Sequence, residues 1–134
     1  MTQAERIAKL TELYKKAASL NEDLPAQLIE KMGLYGQIYE ILGFLHAEAE
    51  GEYGLKEVER KEVIANVFCL DPEKTVKERE MKAELAAIPK RKEEAEARKE
   101  AIRWKNAREA VLEQINIMKK KYEHLVNVYQ KGGI

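Results

Sequence analysis

Residues 101–125 read AIRWKNAREAVLEQINIMKKKYEHL and carry the most regular apolar pattern in the chain. From residue 97 to residue 129, steps of four and three alternate strictly, and every position reached is apolar except one. This spacing places the side chains on one face of a helix, which is typical of a seam that packs against another helix. We therefore predict a core or interface, the C-terminal seam, whose main members are Trp104, Arg108, Val111, Ile115, Met118, Tyr122 and Leu125.

Arg108 is the single charged residue of this seam. Its position predicts a buried ion pair with a glutamate, or a polar contact between two chains that sets their register. A third interpretation is that the side chain lies at the edge of the seam and extends its charged end into water. The sequence does not choose among the three.

The composition favours long helices throughout. Alanine, glutamate, lysine, arginine and leucine make up 75 of the 134 residues, against seven glycines and three prolines. Alternation of the kind that strands show is hard to find. We therefore predict an all-α protein with a single domain over residues 1–134, built as an elongated antiparallel helical bundle or coiled-coil hairpin. The expected helices are 2–20, 24–50, 54–68, 73–88 and 90–130.

The second expected helix is the most apolar part of the chain, and its apolar residues spread over several faces. We therefore expect other helices to surround it. A turn is predicted at 69–74, with Asp71 and Pro72 as one helix start and Thr75 with Glu78 as a second, capping-box start. Whether helix continues through Gly51, Gly54 and Pro89 is left open. The 4,3 register of the second helix holds Leu28, Met32, Tyr35, Tyr39, Leu42, His46, Ala49 and Tyr53.

The chain has few residue types that carry out catalysis or bind metals. It contains two histidines, His46 and His124, and one cysteine, Cys69. The sequence has no glycine-rich phosphate loop, no nucleophile elbow and no zinc-ligand spacing. His46 and Glu50 share a helix face, which alone is weak evidence for a metal site. We therefore predict a non-enzymatic protein with no cofactor and no metal.

Basic residues concentrate in the C-terminal part of the chain. Residues 1–89 hold 12 basic and 17 acidic side chains, whereas residues 90–134 hold 12 basic and 7 acidic ones. Lys90, Arg91 and Lys92 form a first basic cluster, and Lys119, Lys120 and Lys121 form a second. On a straight helix the two clusters are about 40 Å apart, and their side chains offer contacts to phosphates. Interleaved glutamates dilute this field, so a solvated face is the favoured interpretation. The candidate nucleic-acid contacts are Lys90, Arg91, Lys92, Lys119, Lys120 and Lys121.

A lone cysteine fits a reducing compartment, and no apolar run approaches the roughly 20 residues that span a bilayer. The first ten residues have no apolar core of the kind found in signal peptides. We expect a soluble cytoplasmic protein with no membrane contact.

Three further stretches of the chain are EYGLKEVERKEVIANVF at 52–68, KTVKEREMKAEL at 74–85 and ARKEAIRWKNAREAVLEQINIMKK at 97–120. Through them, about two-thirds of the chain, from Glu52 onward, resembles small helical proteins from the early gene regions of tailed bacteriophages, often encoded beside recombination or replication genes. The resemblance implies a bacterial host cytoplasm and defines no catalytic residue.

The leading functional hypothesis is an accessory protein that binds another protein in phage DNA recombination or replication. One alternative is direct nucleic-acid binding through residues 90–121. Another is inhibition of a host defence or nuclease complex, with the acidic stretch 48–62 mimicking nucleic acid. We also expect a homodimer, a different protein partner, or both, because one short chain must cover the C-terminal seam and an apolar second helix.

Overall fold

Three helices make up the chain in the computed structural model, which describes residues 1–132. They are α1 (Gln3–Ala18), α2 (Pro25–Phe68) and α3 (Val76–Gly132). No strand occurs among these residues. The predicted all-α class is confirmed.

Contacts along the chain divide it into two compact units. The three-helix unit contains Met1–Leu45 and the residues from Trp104 onward, so it includes α1 and one segment each of α2 and α3. The hairpin unit is His46–Arg103, which holds the remaining segments of α2 and α3 and the turn between them. The one-domain prediction did not anticipate this division.

Short polar side chains cap two of the helix starts. Thr2 Oγ1 accepts a hydrogen bond of 3.1 Å from the Glu5 backbone N–H at the start of α1. Thr75 Oγ1 accepts one of 3.2 Å from the Glu78 N–H at the start of α3. Each bond satisfies an N–H group that the first helical turn leaves without a partner. The predicted capping start at Thr75 is therefore confirmed.

The connection between α2 and α3 is the predicted turn. Residues 69–75 are non-helical, and the Lys74 N–H donates a 3.1 Å hydrogen bond to the Asp71 carbonyl. The helix begins at Val76, so the expected start at residue 73 and the alternative start at Pro72 are wrong. Pro25, by contrast, is the first residue of α2, where a proline loses no helical hydrogen bond.

α2 and α3 are continuous where the expected boundaries had gaps. α2 passes through Gly51 and Gly54, and α3 passes through Pro89. The proline ring leaves the carbonyl of Leu85 without its helical donor. Pro89 and Leu85 are both exposed, so water can satisfy that carbonyl. The five expected helices are thus three.

In the three-helix unit, α1 and α3 both pack against the first part of α2. The Tyr14 and Tyr35 rings meet edge to face with centroids 6.0 Å apart, and Arg6 lies over the Phe44 ring at 4.8 Å. These pairs show that α1 runs antiparallel to α2 and packs against it. The buried core residues of this unit are Leu10, Leu13, Ala17, Leu28, Ile38, Leu42, Leu45, Trp104, Val111 and Met118.

The buried face of α2 combines Leu28 and Leu42 of the 4,3 register with two residues of a neighbouring face. Ile38 and Leu45 are almost fully buried, whereas Tyr39 is only partly buried. Ile29 is 50% exposed and Phe44 is 51% exposed. The expectation that other helices surround α2 is therefore wrong, because one side of it faces solvent.

In the hairpin unit, charged residues join the two antiparallel helices. Arg60 Nε lies 2.6 Å from Glu94 Oε2, and Lys90 Nζ lies 3.5 Å from Glu59 Oε2. The buried apolar residues of α3 here are small alanines, Ala83, Ala87 and Ala101. The predicted antiparallel pairing around the turn is confirmed within this unit.

Close to the turn, two further contacts hold the hairpin. The Arg79 guanidinium group lies 4.1 Å from the Phe68 ring centroid, and its Nε donates a 2.8 Å hydrogen bond to the Phe68 carbonyl. That carbonyl lies at the C-terminal end of α2, where no helical donor is available. Lys82 Nζ lies 2.6 Å from Asp71 Oδ2 and ties the turn to α3.

Candidate functional site

The C-terminal seam is core within the three-helix unit. Trp104 is 6% exposed, Val111 3% and Met118 2%. The remaining apolar members named above, Ile115, Tyr122 and Leu125, are partly buried. The chain therefore covers most of this seam itself, which removes the reason for which we expected a second copy to cover it.

Arg108 lies in the seam without a glutamate partner among residues 1–132. Its Nε is buried and has no hydrogen-bond partner among residues 1–132. The guanidinium group lies over the Tyr39 ring, with Cζ 4.9 Å from the ring centroid. The negative face of the aromatic ring attracts the cation. Within the described chain, Arg108 therefore makes an aromatic contact and not the ion pair that was one of its three interpretations.

The first basic cluster is largely paired with acidic residues of the same unit. Lys90 lies near Glu59 and Glu93, and Arg91 Nη2 lies 2.6 Å from Glu84 Oε2. These pairs reduce the positive field that a phosphate would meet.

The second basic cluster is split between two environments. Lys119 and Lys120 are exposed, whereas Lys121 Nζ lies 3.2 Å from Asp23 Oδ1 and 3.6 Å from Glu22 Oε2. The hydrogen bond to Asp23 raises the pKa of the Lys121 ammonium group above its usual value. One of the three lysines therefore holds the connection between α1 and α2.

An apolar stripe lies on the exposed face of α3 in the hairpin unit. Met81 is 60% exposed, Leu85 65%, Ile88 43% and Ile102 45%. The strict 4,3 steps that join these positions put them on one side of the helix, opposite the buried Ala83 and Ala87. At 1.5 Å per residue this side is about 31 Å long. We call it the α3 stripe: Met81, Leu85, Ile88, Lys92, Ala95, Lys99 and Ile102.

A groove lies beside the C-terminal half of the α3 stripe. It encloses about 510 Å³ and is open to solvent. Tyr53, Ala95 and Ile102 supply apolar surface, while cationic side chains and one carboxylate provide the charge. The lining residues are Tyr53, Arg91, Glu94, Ala95, Arg98, Lys99 and Ile102.

Some cations of the hairpin unit are paired with carboxylates, and others are not. Arg60, Lys82, Lys90 and Arg91 of the hairpin unit each have a carboxylate partner. Lys92, Arg98 and Lys99 have none within the part of the chain that the structure describes. These three lie within eight residues, on the stripe or at the groove. Positive charge is therefore available here for a ligand or partner.

Sequence reasoning missed the α3 stripe, although its spacing is visible in the sequence. Two of its seven positions are lysines, and Lys92 had been grouped with its basic neighbours as a candidate phosphate contact. The 4,3 pattern of Met81, Leu85 and Ile88 was a detectable signal, but it does not show whether such a face is buried or free.

The outer face of α2 in the same unit offers a weaker apolar surface. Leu55 and Val58 are 52% and 51% exposed. The next position of that register is Glu62, after which only the small Ala65 follows within the helix. The α3 stripe is therefore the longer and more apolar of the two exposed faces.

No group of three or more potential metal ligands occurs among residues 1–132. His46 Nε2 lies 3.3 Å from Glu50 Oε1, the pair that the sequence singled out. None of the helices in this part of the chain combines the length and apolar character needed to cross a bilayer.

No protein-family model, curated protein or solved structure matches the chain. Its class rests on its own geometry, which is all-helical with an exposed heptad stripe and an adjoining basic groove.

Proposed function

We propose that this protein acts without catalysis, by binding another protein through the α3 stripe. The observation that carries the proposal is the exposure of Met81, Leu85, Ile88 and Ile102 on a single face of α3. A helix that only faces water gains nothing from a 4,3 apolar pattern. Such a pattern serves a helix that lies against a second helix.

The apolar area still open on these side chains can supply part of the free energy of association. Fully burying a leucine, isoleucine or methionine contributes about 1.5 to 3 kcal/mol, so half-exposed ones each retain roughly 1 kcal/mol. Four such residues supply a few kcal/mol before the cost of association. This magnitude suits a reversible contact more than a permanent one.

The resemblance to early-region proteins of tailed bacteriophages supports a biological setting for this contact. In the proposal, the protein is an accessory in phage DNA recombination or replication and acts in the cytoplasm of the bacterial host. A host defence or nuclease complex is the competing partner. Whether a phage or a host protein binds the stripe separates the two settings.

The test compares two matched pairs of substitutions in the hairpin unit. Leu85→Glu with Ile88→Glu places charges on the α3 stripe, and Leu55→Glu with Val58→Glu does the same on the outer face of α2. Tagged proteins are used to capture partners from infected and uninfected cells, with cross-linking and mass spectrometry as the readout. Circular dichroism checks that both variants stay helical.

The first pair should lose the captured partner, and the second pair should keep it. If both variants retain the same partners as the unmodified protein, the α3 stripe is not a binding surface. The source of the lost partner, phage or host, then identifies the setting.

A further inference from the structure

We propose that the partner segment is an acidic amphipathic helix, which lies along the α3 stripe with its carboxylates at Lys92, Arg98 and Lys99. This inference rests on the proposed function, because it names the chemistry of the partner at the same surface. Apolar side chains of the partner cover Met81, Leu85, Ile88 and Ile102, as in helix-to-helix recognition.

The charge of the surface determines the charge of the partner. Lys92 and Lys99 occupy two of the seven stripe positions, and Arg98 lies at the groove beside them. None of the three has a carboxylate partner within residues 1–132. A helix with glutamates facing them gains attraction during approach and places opposite charges together in the complex.

The groove gives this contact a defined position. Tyr53 and Ile102 line its apolar part, and Arg98 and Lys99 supply charge. A side chain that combines an apolar stem with a carboxylate matches both parts. The N-terminal half of the stripe presents Met81, Leu85 and Ile88 and takes apolar residues of the partner.

A second copy of this chain fits the surface poorly. Parallel pairing of two α3 stripes places Lys92 opposite Lys92 and Lys99 opposite Lys99. Antiparallel pairing about the centre of the stripe places Lys92 beside its own copy. Like charges that face each other across a helix pair are destabilising, so self-association does not satisfy these cations.

Nucleic acid also fits less well than a helix. Four of the seven stripe positions are large apolar side chains, whereas nucleic-acid interfaces are more polar and more positively charged than protein interfaces.

The test uses designed peptides as probes for the full-length protein. The first peptide has about 22 residues, to match the stripe, with leucine at heptad positions a and d and glutamate at e and g. The second carries lysine in place of each glutamate. A third has the composition of the first with its leucines dispersed around the helix. Each is fluorescently labelled, and binding is followed by anisotropy.

The acidic peptide should bind the unmodified protein, and the dispersed peptide should not. Arg98→Glu with Lys99→Glu should weaken the acidic peptide by about tenfold or more and strengthen the lysine peptide. Raising salt from about 50 to 500 mM should weaken the acidic peptide severalfold. The milder pair Arg98→Gln and Lys99→Gln, with circular dichroism, provides the same comparison if charge reversal disturbs the helix.

Equal binding of the acidic and lysine peptides, or indifference of the acidic peptide to both charge variants, would overturn the inference. So would a single-stranded oligonucleotide of about ten nucleotides that binds through Arg98 and Lys99 while the acidic peptide does not. In either case, capture of a partner that is still lost in Leu85→Glu with Ile88→Glu means that the proposed function stands. Only the acidic character of the partner is then wrong. If capture is also independent of Leu85 and Ile88, both proposals fail.

Discussion

Arg108 lies over the face of Tyr39, with Cζ 4.9 Å from the ring centroid, at the contact between α3 and α2 in the three-helix unit. The arginine Nε is buried and has no hydrogen-bond partner in the described chain. The aromatic face offsets part of the cost of removing a cation from water, but it supplies no acceptor to Nε. Arg108 is only partly buried, so the group left without compensation is the single buried donor Nε.

Replacing Arg108 with methionine should therefore stabilise the protein. Methionine fills similar space, packs on the Tyr39 ring and removes the unpaired donor. We expect the free energy of unfolding to rise by about 1 kcal/mol, measured by chemical denaturation. Lys105→Met, at an exposed position of the same helix, is the control and should change little. A clear loss of stability in Arg108→Met would show that the cation–ring contact outweighs the unpaired donor.

Substitution of Trp104 tests whether the C-terminal seam is part of the core. Trp104→Ala removes a large side chain that is 6% exposed, and the cavity should lower the free energy of unfolding by about 3 to 5 kcal/mol. Ile117→Ala, at a position of α3 that is 51% exposed, should cost far less. Similar losses for the two variants in urea unfolding would contradict the burial of the seam.

The contact between Asp71 and Lys82 predicts that the stability of the hairpin unit depends on pH. The hydrogen bond and charge of Lys82 hold the pKa of the Asp71 carboxyl below its usual value. A lowered pKa means that the carboxylate stabilises the fold above its unfolded pKa, and this contribution disappears as the pH falls through the folded pKa. The hairpin should thus weaken in acid.

An NMR titration of the Asp71 side chain measures this directly. In Lys82→Met the pKa should return towards its usual value, because the hydrogen bond and the charge are both removed. Lys77→Met changes an exposed lysine nearby and should leave the titration in place. An unchanged Asp71 titration in Lys82→Met would rule out the Lys82 contact as its cause.

Substitutions in the lysine run at residues 119–121 distinguish a structural role of these lysines from a role in nucleic-acid binding. Lys119→Glu with Lys120→Glu should leave the melting temperature unchanged, since both side chains are exposed. Lys121→Glu should lower it, because a glutamate there faces Glu22 and Asp23. Differential scanning calorimetry compares the variants. Equal melting temperatures in all of them would indicate that the Lys121 contacts do not stabilise the fold.

The same variants address the nucleic-acid hypothesis. We expect no tight, salt-sensitive retention of the unmodified protein on DNA between about 50 and 200 mM salt. Retention of that kind, lost on reversal of all three lysines, would favour direct nucleic-acid binding over protein binding.

Local patterns predicted most of the secondary structure. Thr75 and Glu78 marked a helix start because a capping bond involves residues only three apart. Gly51, Gly54 and Pro89 were ambiguous, since their local penalties of a few kcal/mol compete with the packing of the whole helix. That packing is not visible from neighbouring residues.

The register of α2 shows where periodicity alone was insufficient. Tyr39 and Ile38 belong to adjacent faces of one helix, and both faces are rich in apolar residues. Choosing between them requires the positions of α1 and α3, which together bury Ile38 and leave Tyr39 partly open to Arg108.

The sequence by itself determined that the chain is helical, that a turn follows Phe68, and that the Trp104 face of α3 packs against another helix. These properties follow from side-chain spacing along a single helix. Only the tertiary structure decided which apolar faces the chain covers for itself. The Trp104 face is buried, whereas Met81, Leu85 and Ile88 face solvent, although both sets share the same spacing. The physical reason is that burial depends on what lies opposite a face, and the spacing of residues within one helix does not contain that information.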